Sequence, residues 1–236
     1  MQLQERPVAI MPPKKKTANG RKRILIVDDH PMVRQGLAQL IGDQPDLVVC
    51  GEAADAGEAV EAARTLKPDL VLADITLPGR NGIELIKDLQ AIESRLPILV
   101  VSMHDESLYA ERVLRAGARG YIMKQEGGKK MMEATRQVLG GRVYVSEKMS
   151  ARILEMFSGN RSDIERSPIE RMTDREFEVF QLIGAGRSTR EIAMQLHLSV
   201  KTVEVHRAHI KEKLDLKNAP ELISFAARWV QTQSAA

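Results

Sequence analysis

Carboxylates that directly follow short apolar runs are the residues of this sequence best suited to chemistry. Asp28 and Asp29 follow the run Ile24–Val27, and Asp74 comes soon after Leu70–Leu72. If the runs are strands of a parallel sheet, their carboxyl ends meet at one edge, where such sheets place their sites. Carboxylates this close raise each other's pKa unless a cation lies among them. A hard divalent ion with oxygen ligands, most simply Mg²⁺, would relieve that repulsion.

A hydroxyl and an ammonium are expected at the same edge. Ser102 follows the apolar run Ile98–Val101, and Lys124 follows Gly120–Met123. A cation, a carboxylate, a hydroxyl and an ammonium together suit phosphoryl transfer, in which positioning and charge neutralisation supply most of the catalysis.

The elements that must position these groups follow from hydrophobic periodicity. Five apolar runs, including Leu47–Cys50, alternate with helical periods such as Val33, Leu37 and Leu40. This βα repeat predicts an α/β domain over residues 23–140, with a parallel sheet covered by helices on both faces. The pair Gly140 and Gly141 is expected to close it.

The flanking segments have other patterns. Residues 1–22 contain prolines and Lys14–Lys16 without a helical period, which predicts a flexible basic tail. Residues 141–167 are expected to form a linker that is partly helical. Residues 168–236 predict a second, all-α domain of four helices, whose N-terminal caps are Thr173, Ser188, Ser199 and Asn218.

Composition favours a soluble protein inside the cell. The chain is 43% hydrophobic and 28% charged, as in globular proteins. It lacks both an apolar run of the ~18 residues that a membrane span needs and an N-terminal apolar signal segment. Its one cysteine, Cys50, is expected in the core and cannot form an internal disulfide. We therefore expect a cytoplasmic protein.

The helices that begin after Ser188 and Ser199 are separated by a short turn, which is helix-turn-helix spacing. On a helical wheel of the second helix, an apolar side faces inward. The opposite side carries Lys201, Val205, Ala208 and Glu212. Its long cation and its small residues can approach a major groove. Basic residues outnumber acidic ones in residues 187–217, so nucleic acid is a candidate partner.

Four motifs of the first domain resemble the receiver domain of two-component response regulators. They are Val27–His30, Leu72–Gly79, Val101–Ser102 and Gly120–Lys124. The resemblance covers about residues 22–140 and implies a flavodoxin-like, doubly wound (βα)₅ fold.

The same resemblance implies a role for each site residue. Asp74 would be the phosphoacceptor, and Asp28, Asp29, Asp74 and the main-chain carbonyl of Thr76 would bind Mg²⁺. Lys124 would contact the phosphoryl group, while Ser102 and Tyr121 would form the switch that senses it. His30 and His104 lie next to this site in the sequence, and the simpler interpretation of both is a solvated loop histidine.

The second domain resembles the LuxR-type DNA-binding domain through Met172–Glu176, Ser188–Ala193 and Leu198–Arg207. The whole chain therefore resembles the NarL/FixJ class of response regulators. This resemblance implies DNA contacts from the second helix of the motif, with the last two residues near the DNA backbone: Lys201, Thr202, Val205, Arg207, Lys211 and Lys213.

We expect a transcription factor in which a sensor histidine kinase phosphorylates Asp74 and thereby controls DNA binding, with homodimers on paired half-sites. Two other functions remain open at this point. One is an Mg²⁺-dependent phosphatase with an external substrate, against which the lack of an evident substrate-binding domain argues. The other is a DNA-binding protein that does not depend on phosphorylation, against which the intact acidic set argues.

Overall fold

The computed structural model describes residues 20–78, 82–157, 168–169 and 171–234. Residues 1–19, which make up most of the predicted basic tail, lie outside the described residues. The same holds for residues 158–167 of the predicted linker.

A five-stranded parallel sheet forms the centre of the first domain, as predicted. Its strands lie in the order β2-β1-β3-β4-β5. The direction of winding changes between β1 and β3, so a crevice opens where these two strands end. Val27 and Ala73 are register partners at that end, and the next residues are Asp28 and Asp74. The strands are β1 Lys22–Val27, β2 Leu47–Ala53, β3 Leu70–Ala73, β4 Ile98–Ser102 and β5 Gly120–Met123.

Helices cover both faces of this sheet because successive side chains of each strand point to opposite sides. Along β1, Ile24 and Ile26 belong to one buried cluster, whereas Leu25 and Val27 belong to another. Each cluster is completed by helices, which confirms the predicted two-sided cover. The helices are α1 Pro31–Gly42, α2 Ala56–Leu66, α3 Gly82–Ile92, α4 Glu106–Arg115 and α5 Gly128–Leu139.

In the described part of the segment after α5, residues Glu147–Phe157 form helix α6. Before α6, Tyr144 forms a single parallel bridge with Gly120, so the chain is still attached to the edge of the sheet. No helix in the described part of the chain combines the length and the apolar character that a membrane crossing requires.

The C-terminal part is helical, and side-chain caps open its helices as predicted. Capping boxes are formed by Thr173 with Glu176 and by Ser188 with Glu191. Ser199 accepts a hydrogen bond from the Thr202 amide. The helices are α7 Asp174–Gly184, α8 Thr189–Gln195, α9 Val200–Lys213 and α10 Ala219–Ser234.

Aromatic packing joins α7 to α10. The Trp229 ring lies edge-on to Phe177, with centroids 5.7 Å apart, and edge-on to Phe180 at 5.4 Å. The two helices approach closely at Gly184, where a Cβ would lie 2.5 Å from a methyl carbon of Val230 and 2.6 Å from the Ala226 carbonyl oxygen. Glycine is therefore required by the crossing itself.

Replacing Gly184 by alanine should separate α7 from α10 and lower the free energy of unfolding by about 1–3 kcal/mol, the usual cost of overpacking. Urea denaturation followed by Trp229 fluorescence would measure this. Gly36→Ala in α1 is the matched control, because no atom lies within 4 Å of the added Cβ. The control should be stabilised by roughly 0.5–1 kcal/mol. Equal stability of the Gly184 variant and the wild type would contradict the close crossing.

Candidate functional site

A buried ion-pair cluster occupies the crevice at the end of the sheet. The Lys124 ammonium, which follows β5, lies 2.6 Å from Asp28 Oδ2 and 2.7 Å from Asp74 Oδ2. The two carboxylate side chains are 2% and 3% exposed, and the lysine side chain is 7% exposed. Three groups from the ends of three strands, distant in sequence, therefore meet at one point.

The charges of this cluster depend on each other. Burial raises the pKa of Asp74, and hydrogen bonding from Lys124 opposes that shift. Burial would lower the pKa of Lys124, but the hydrogen bonds and charges of Asp28 and Asp74 outweigh it and raise that pKa. A lysine held protonated by two carboxylates provides a fixed positive charge for a further anion.

Asp29 completes an acidic set that could hold a cation. One ligand atom each from Asp28, Asp29, His30 and Asp74 can be chosen so that all lie within 4.8 Å of one another. Asp29 Oδ1 is buried and accepts no hydrogen bond in the described part of the chain. The nearby His30 Nδ1, at 2.6 Å, makes an ion pair with it if protonated. An oxygen without a hydrogen bond beside two further carboxylates fits a hard divalent cation.

The other predicted site residues contact either Asp74 or His104. The amide of Thr76 donates to Asp74 Oδ1 over 3.2 Å. Ser102 is fully buried, and its Oγ accepts from the amide of His104 at 3.2 Å. Tyr121 is also buried, and its hydroxyl donates to the His104 carbonyl oxygen at 2.8 Å. The structure thus places Thr76 beside Asp74, and Ser102 and Tyr121 beside His104.

The expectation of a solvated loop histidine was wrong for His104. Its Nε2 lies 3.0 Å from Thr76 Oγ1, and its ring packs against Tyr109 with centroids 4.9 Å apart. Burial lowers the pKa of His104, although the Asp74 carboxylate acts in the opposite direction. Residues so far apart in the chain leave no local sequence signal, so only the fold reveals this position. His30 is exposed, as expected, but it lies against Asp29 rather than free in solvent.

The outer face of α9 is open to solvent. Lys201 and Val205 are exposed, whereas Val203 and Ile210 are fully buried on the opposite side. The predicted inward and outward faces of this helix are therefore confirmed. Thr202 and Arg207 lie at the border between them and are partly exposed.

The two lysines at the end of α9 differ. Lys213 Nζ lies 2.6 Å from the buried Glu176 Oε2 of α7 and also donates to the Arg171 carbonyl oxygen. Its ammonium therefore has a structural partner inside the domain. Lys211 is partly exposed. The role of either lysine at DNA stays a prediction.

Comparison with known proteins agrees with this geometry. Residues 24–136 match the response regulator receiver domain, and residues 170–226 match the bacterial regulatory proteins of the luxR family. The chain is 36% identical to the oxygen regulatory protein NreC of Staphylococcus haemolyticus, over 87% of this chain and 97% of that protein. It is 35% identical to the nitrate/nitrite response regulator NarL of Escherichia coli K12, over 89% and 95%.

The chain belongs to the NarL/FixJ class of response regulators. It combines a receiver domain with a LuxR-type DNA-binding domain. The fold is shared with RcsB of Salmonella enterica serovar Typhimurium, solved with promoter DNA, at a TM-score of 0.62 and 24% identity over 88% of this chain and 98% of that one.

In this response regulator, α4 of the receiver contacts α7 of the DNA-binding domain. Arg112 donates to the carbonyl oxygens of Met172 at 2.8 Å and Ile169 at 3.0 Å. It also lies 3.2 Å from Asp174 Oδ1 and 4.6 Å from the centre of the Phe177 ring. One guanidinium thus satisfies backbone oxygens, a carboxylate and an aromatic face at once.

Two further contacts support the same interface, which the sequence did not predict. The Tyr109 hydroxyl donates to Gln181 Oε1, and Lys87 Nζ lies 3.0 Å from Asp174 Oδ2. In the sequence alone, Arg112 and Tyr109 look like ordinary surface residues of an amphipathic helix. Their role becomes visible only when the second domain is placed beside them.

Lys213→Ala and Lys211→Ala should differ in their effects. Loss of Lys213 leaves Glu176 buried without its ammonium, so the free energy of unfolding should fall by about 2 kcal/mol. Loss of Lys211 should leave stability unchanged and weaken binding to a duplex of mixed sequence, with a smaller salt dependence. Thermal denaturation and fluorescence anisotropy would measure the two quantities. Equal stability of both variants would show that the Glu176 pair contributes little.

Proposed function

We propose that this protein is a transcription factor whose DNA binding is controlled by phosphorylation of Asp74. The observation that carries the proposal is the buried contact of Lys124 with both Asp28 and Asp74 at the end of the sheet. Asp74 is one of the two carboxylates of this cluster, and we propose that its carboxylate accepts the phosphoryl group. The partner that supplies it would be a sensor histidine kinase.

The chemistry is a transfer between two residues. The P–N bond of a phosphohistidine breaks as an Asp74 carboxylate oxygen forms a bond to phosphorus, and the imidazole leaves. The Lys124 ammonium is already beside Asp74 Oδ2 and would neutralise charge on the phosphoryl oxygens. The buried Ser102 hydroxyl, whose residue accepts a main-chain hydrogen bond from Lys124, is proposed to contact the same group. The phosphoryl group ends on a residue of this protein, and no substrate other than the phosphodonor is expected.

A divalent cation is expected to assist this transfer, and Mg²⁺ is the proposed ion. The carboxylates of Asp28, Asp29 and Asp74, with the Thr76 carbonyl oxygen, would hold it. The close grouping of the carboxylate oxygens of Asp28, Asp29 and Asp74, within 4.8 Å of one another, supports this assignment. When bound, the cation would supply positive charge that neutralises the charge on the phosphoryl oxygens.

The DNA-binding output would use α9. Lys201, Thr202, Val205 and Arg207 are proposed to face the major groove, with Lys211 and Lys213 near the backbone. The Val205 side chain can make only apolar contact, for example with a thymine methyl group. The fold shared with promoter-bound RcsB supports this docking.

The described contacts between the domains leave this face of α9 exposed. Lys201 and Val205 are accessible although α4 holds α7. We therefore infer that phosphorylation acts by releasing α7 and by pairing two chains on two half-sites, rather than by uncovering α9 itself. A homodimer in the cytoplasm is the proposed active form, with the receiver at 23–140, the linker at 141–167 and the DNA-binding domain at 168–236.

The phosphoacceptor is tested by labelling. With Mg²⁺ and acetyl phosphate, the wild type should gain one phosphoryl group, stable in acid and labile in base, and Asp74→Asn should gain none. Intact-mass measurement would count the groups. Asp43→Asn, which changes an exposed aspartate at the end of α1, is the control and should be labelled like the wild type. Labelling of the Asp74 variant would refute the assignment.

The DNA-binding face is tested with a duplex selected by the wild-type protein from a random pool. Lys201→Ala should weaken binding by ~1–3 kcal/mol if the ammonium reads a base edge, with relaxed sequence preference. If it contacts a phosphate, the salt slope should fall by about 1 instead. Lys148→Ala on α6, also an exposed lysine, should bind like the wild type. Unchanged affinity for the Lys201 variant would remove this residue from the interface.

A further inference from the structure

The two predicted switch residues hold the backbone of one residue, His104. Its amide donates to Ser102 Oγ at 3.2 Å, and its carbonyl oxygen accepts from the Tyr121 hydroxyl at 2.8 Å. Ser102 and Tyr121 lie on neighbouring strands, β4 and β5. Any rotation of either hydroxyl therefore removes a hydrogen bond from His104, because both bonds are made by side chains that can turn.

The side chain of His104 joins the phosphoacceptor loop to α4. Nε2 lies 3.0 Å from the Thr76 hydroxyl, and the amide of Thr76 donates to Asp74 Oδ1. The imidazole packs against the Tyr109 ring, with centroids 4.9 Å apart and planes inclined at 34°. One ring thus contacts both the loop that carries Asp74 and the helix that faces the second domain.

Tyr109 extends these contacts into the DNA-binding domain. Its hydroxyl donates to Gln181 of α7, and its ring lies edge-on to Phe177 at 5.4 Å. Phe177 in turn packs against Trp229 of α10. Tyr109 is only 2% exposed, so it cannot turn into solvent without opening the interface.

We propose that His104 is the positioning residue that transmits the state of Asp74 to the DNA-binding domain. This inference rests on the proposed function of Asp74 as the phosphoacceptor. A phosphoryl group there would add a charge of about −1.5 to −2 and three acceptor oxygens. If the Ser102 hydroxyl turns toward that group, the His104 amide loses its acceptor, and the Thr76–His104 contact must adjust to the new group on Asp74.

The consequence reaches the interface through packing rather than charge. Movement of the imidazole changes the surface against which the Tyr109 ring is held. If the His104 imidazole moves away from Gln181 of α7, Tyr109 cannot keep both its contact with the imidazole and its hydrogen bond to Gln181. The interface is therefore weakened at Tyr109 even though Arg112, which lies on the same helix, contacts no described residue of the phosphorylation site.

Two variants test the contact of His104 with Thr76 and the hydrogen bond of Tyr109 to Gln181 separately. His104→Phe keeps an aromatic ring against Tyr109 but loses the contact with Thr76, whereas Tyr109→Phe loses only the hydroxyl that donates to Gln181. Trp229 is the single tryptophan of the chain, so its fluorescence reports on the far side of the interface. Beryllofluoride with Mg²⁺ serves as the phosphoryl mimic, and ¹⁹F NMR measures its binding independently. Because the mimic is not hydrolysed, differences in phosphoryl lifetime do not enter.

The wild type should respond to beryllofluoride with a change in Trp229 fluorescence and in affinity for the selected duplex. His104→Phe should still bind beryllofluoride. The ratio of its duplex affinity with the mimic to its duplex affinity without the mimic should lie closer to one than the wild-type ratio, by ~5-fold or more. Its fluorescence response should be lost. Tyr109→Phe should reduce both responses, and the double variant should be no worse than the stronger single variant, since both residues belong to one chain of contacts.

Four outcomes would contradict the inference or what it rests on. A wild-type response in His104→Phe would refute the role of His104. Additive effects of the two substitutions would show that they act by separate routes, which also refutes it. If His104→Phe fails to fold or to bind the mimic, Tyr109→Phe decides, since the hydroxyl that it removes donates to Gln181 of the second domain. An unchanged response of that variant refutes the chain of contacts. If the wild type binds no beryllofluoride, the proposed function of Asp74 fails instead.

Discussion

One buried ammonium between two buried carboxylates is the interaction on which the rest of this structure depends. Lys124 contacts Asp28 and Asp74, and these three side chains are almost completely withdrawn from water. Each charge alone would cost several kcal/mol to bury, so the cluster is stable only as a unit. It also ties the ends of β1, β3 and β5 together, because each group follows a different strand.

A cluster balanced in this way is sensitive to any new charge. A phosphoryl group on Asp74 would change the sum of charges that Lys124 neutralises, and neighbouring hydroxyls would have to reorient. The surrounding core is tightly packed and deforms little, so a small change at the rim is passed on as a shift of contacts. The hydrogen bonds of His104 to Ser102 and Tyr121 are among the contacts that we propose would shift.

Helix α4 is the element shared by the two halves of the molecule. Tyr109, Ala110 and Val113 are buried along it. Arg112 reaches across to the carbonyl oxygens of Met172 and Ile169, which lie just before α7. A helix that is both packed on the sheet and bonded to the second domain can move only if both sets of contacts adjust. This constraint makes α4 the proposed connection between phosphorylation and DNA binding.

The amino-acid sequence by itself determined the strands, their two-sided cover and the helix starts of the second domain. These features depend on residues close together in the chain: the apolar run of β1, or Thr173 accepting a hydrogen bond from the Glu176 amide three positions later. The order of motifs also led to Asp28, Asp74 and Lys124. Only the tertiary structure decided the placement of His104 against Tyr109, of Lys213 against Glu176, and of Arg112 against the second domain. Those contacts depend on how whole helices pack, and a sequence pattern carries no measure of the distance between residues that meet only after folding.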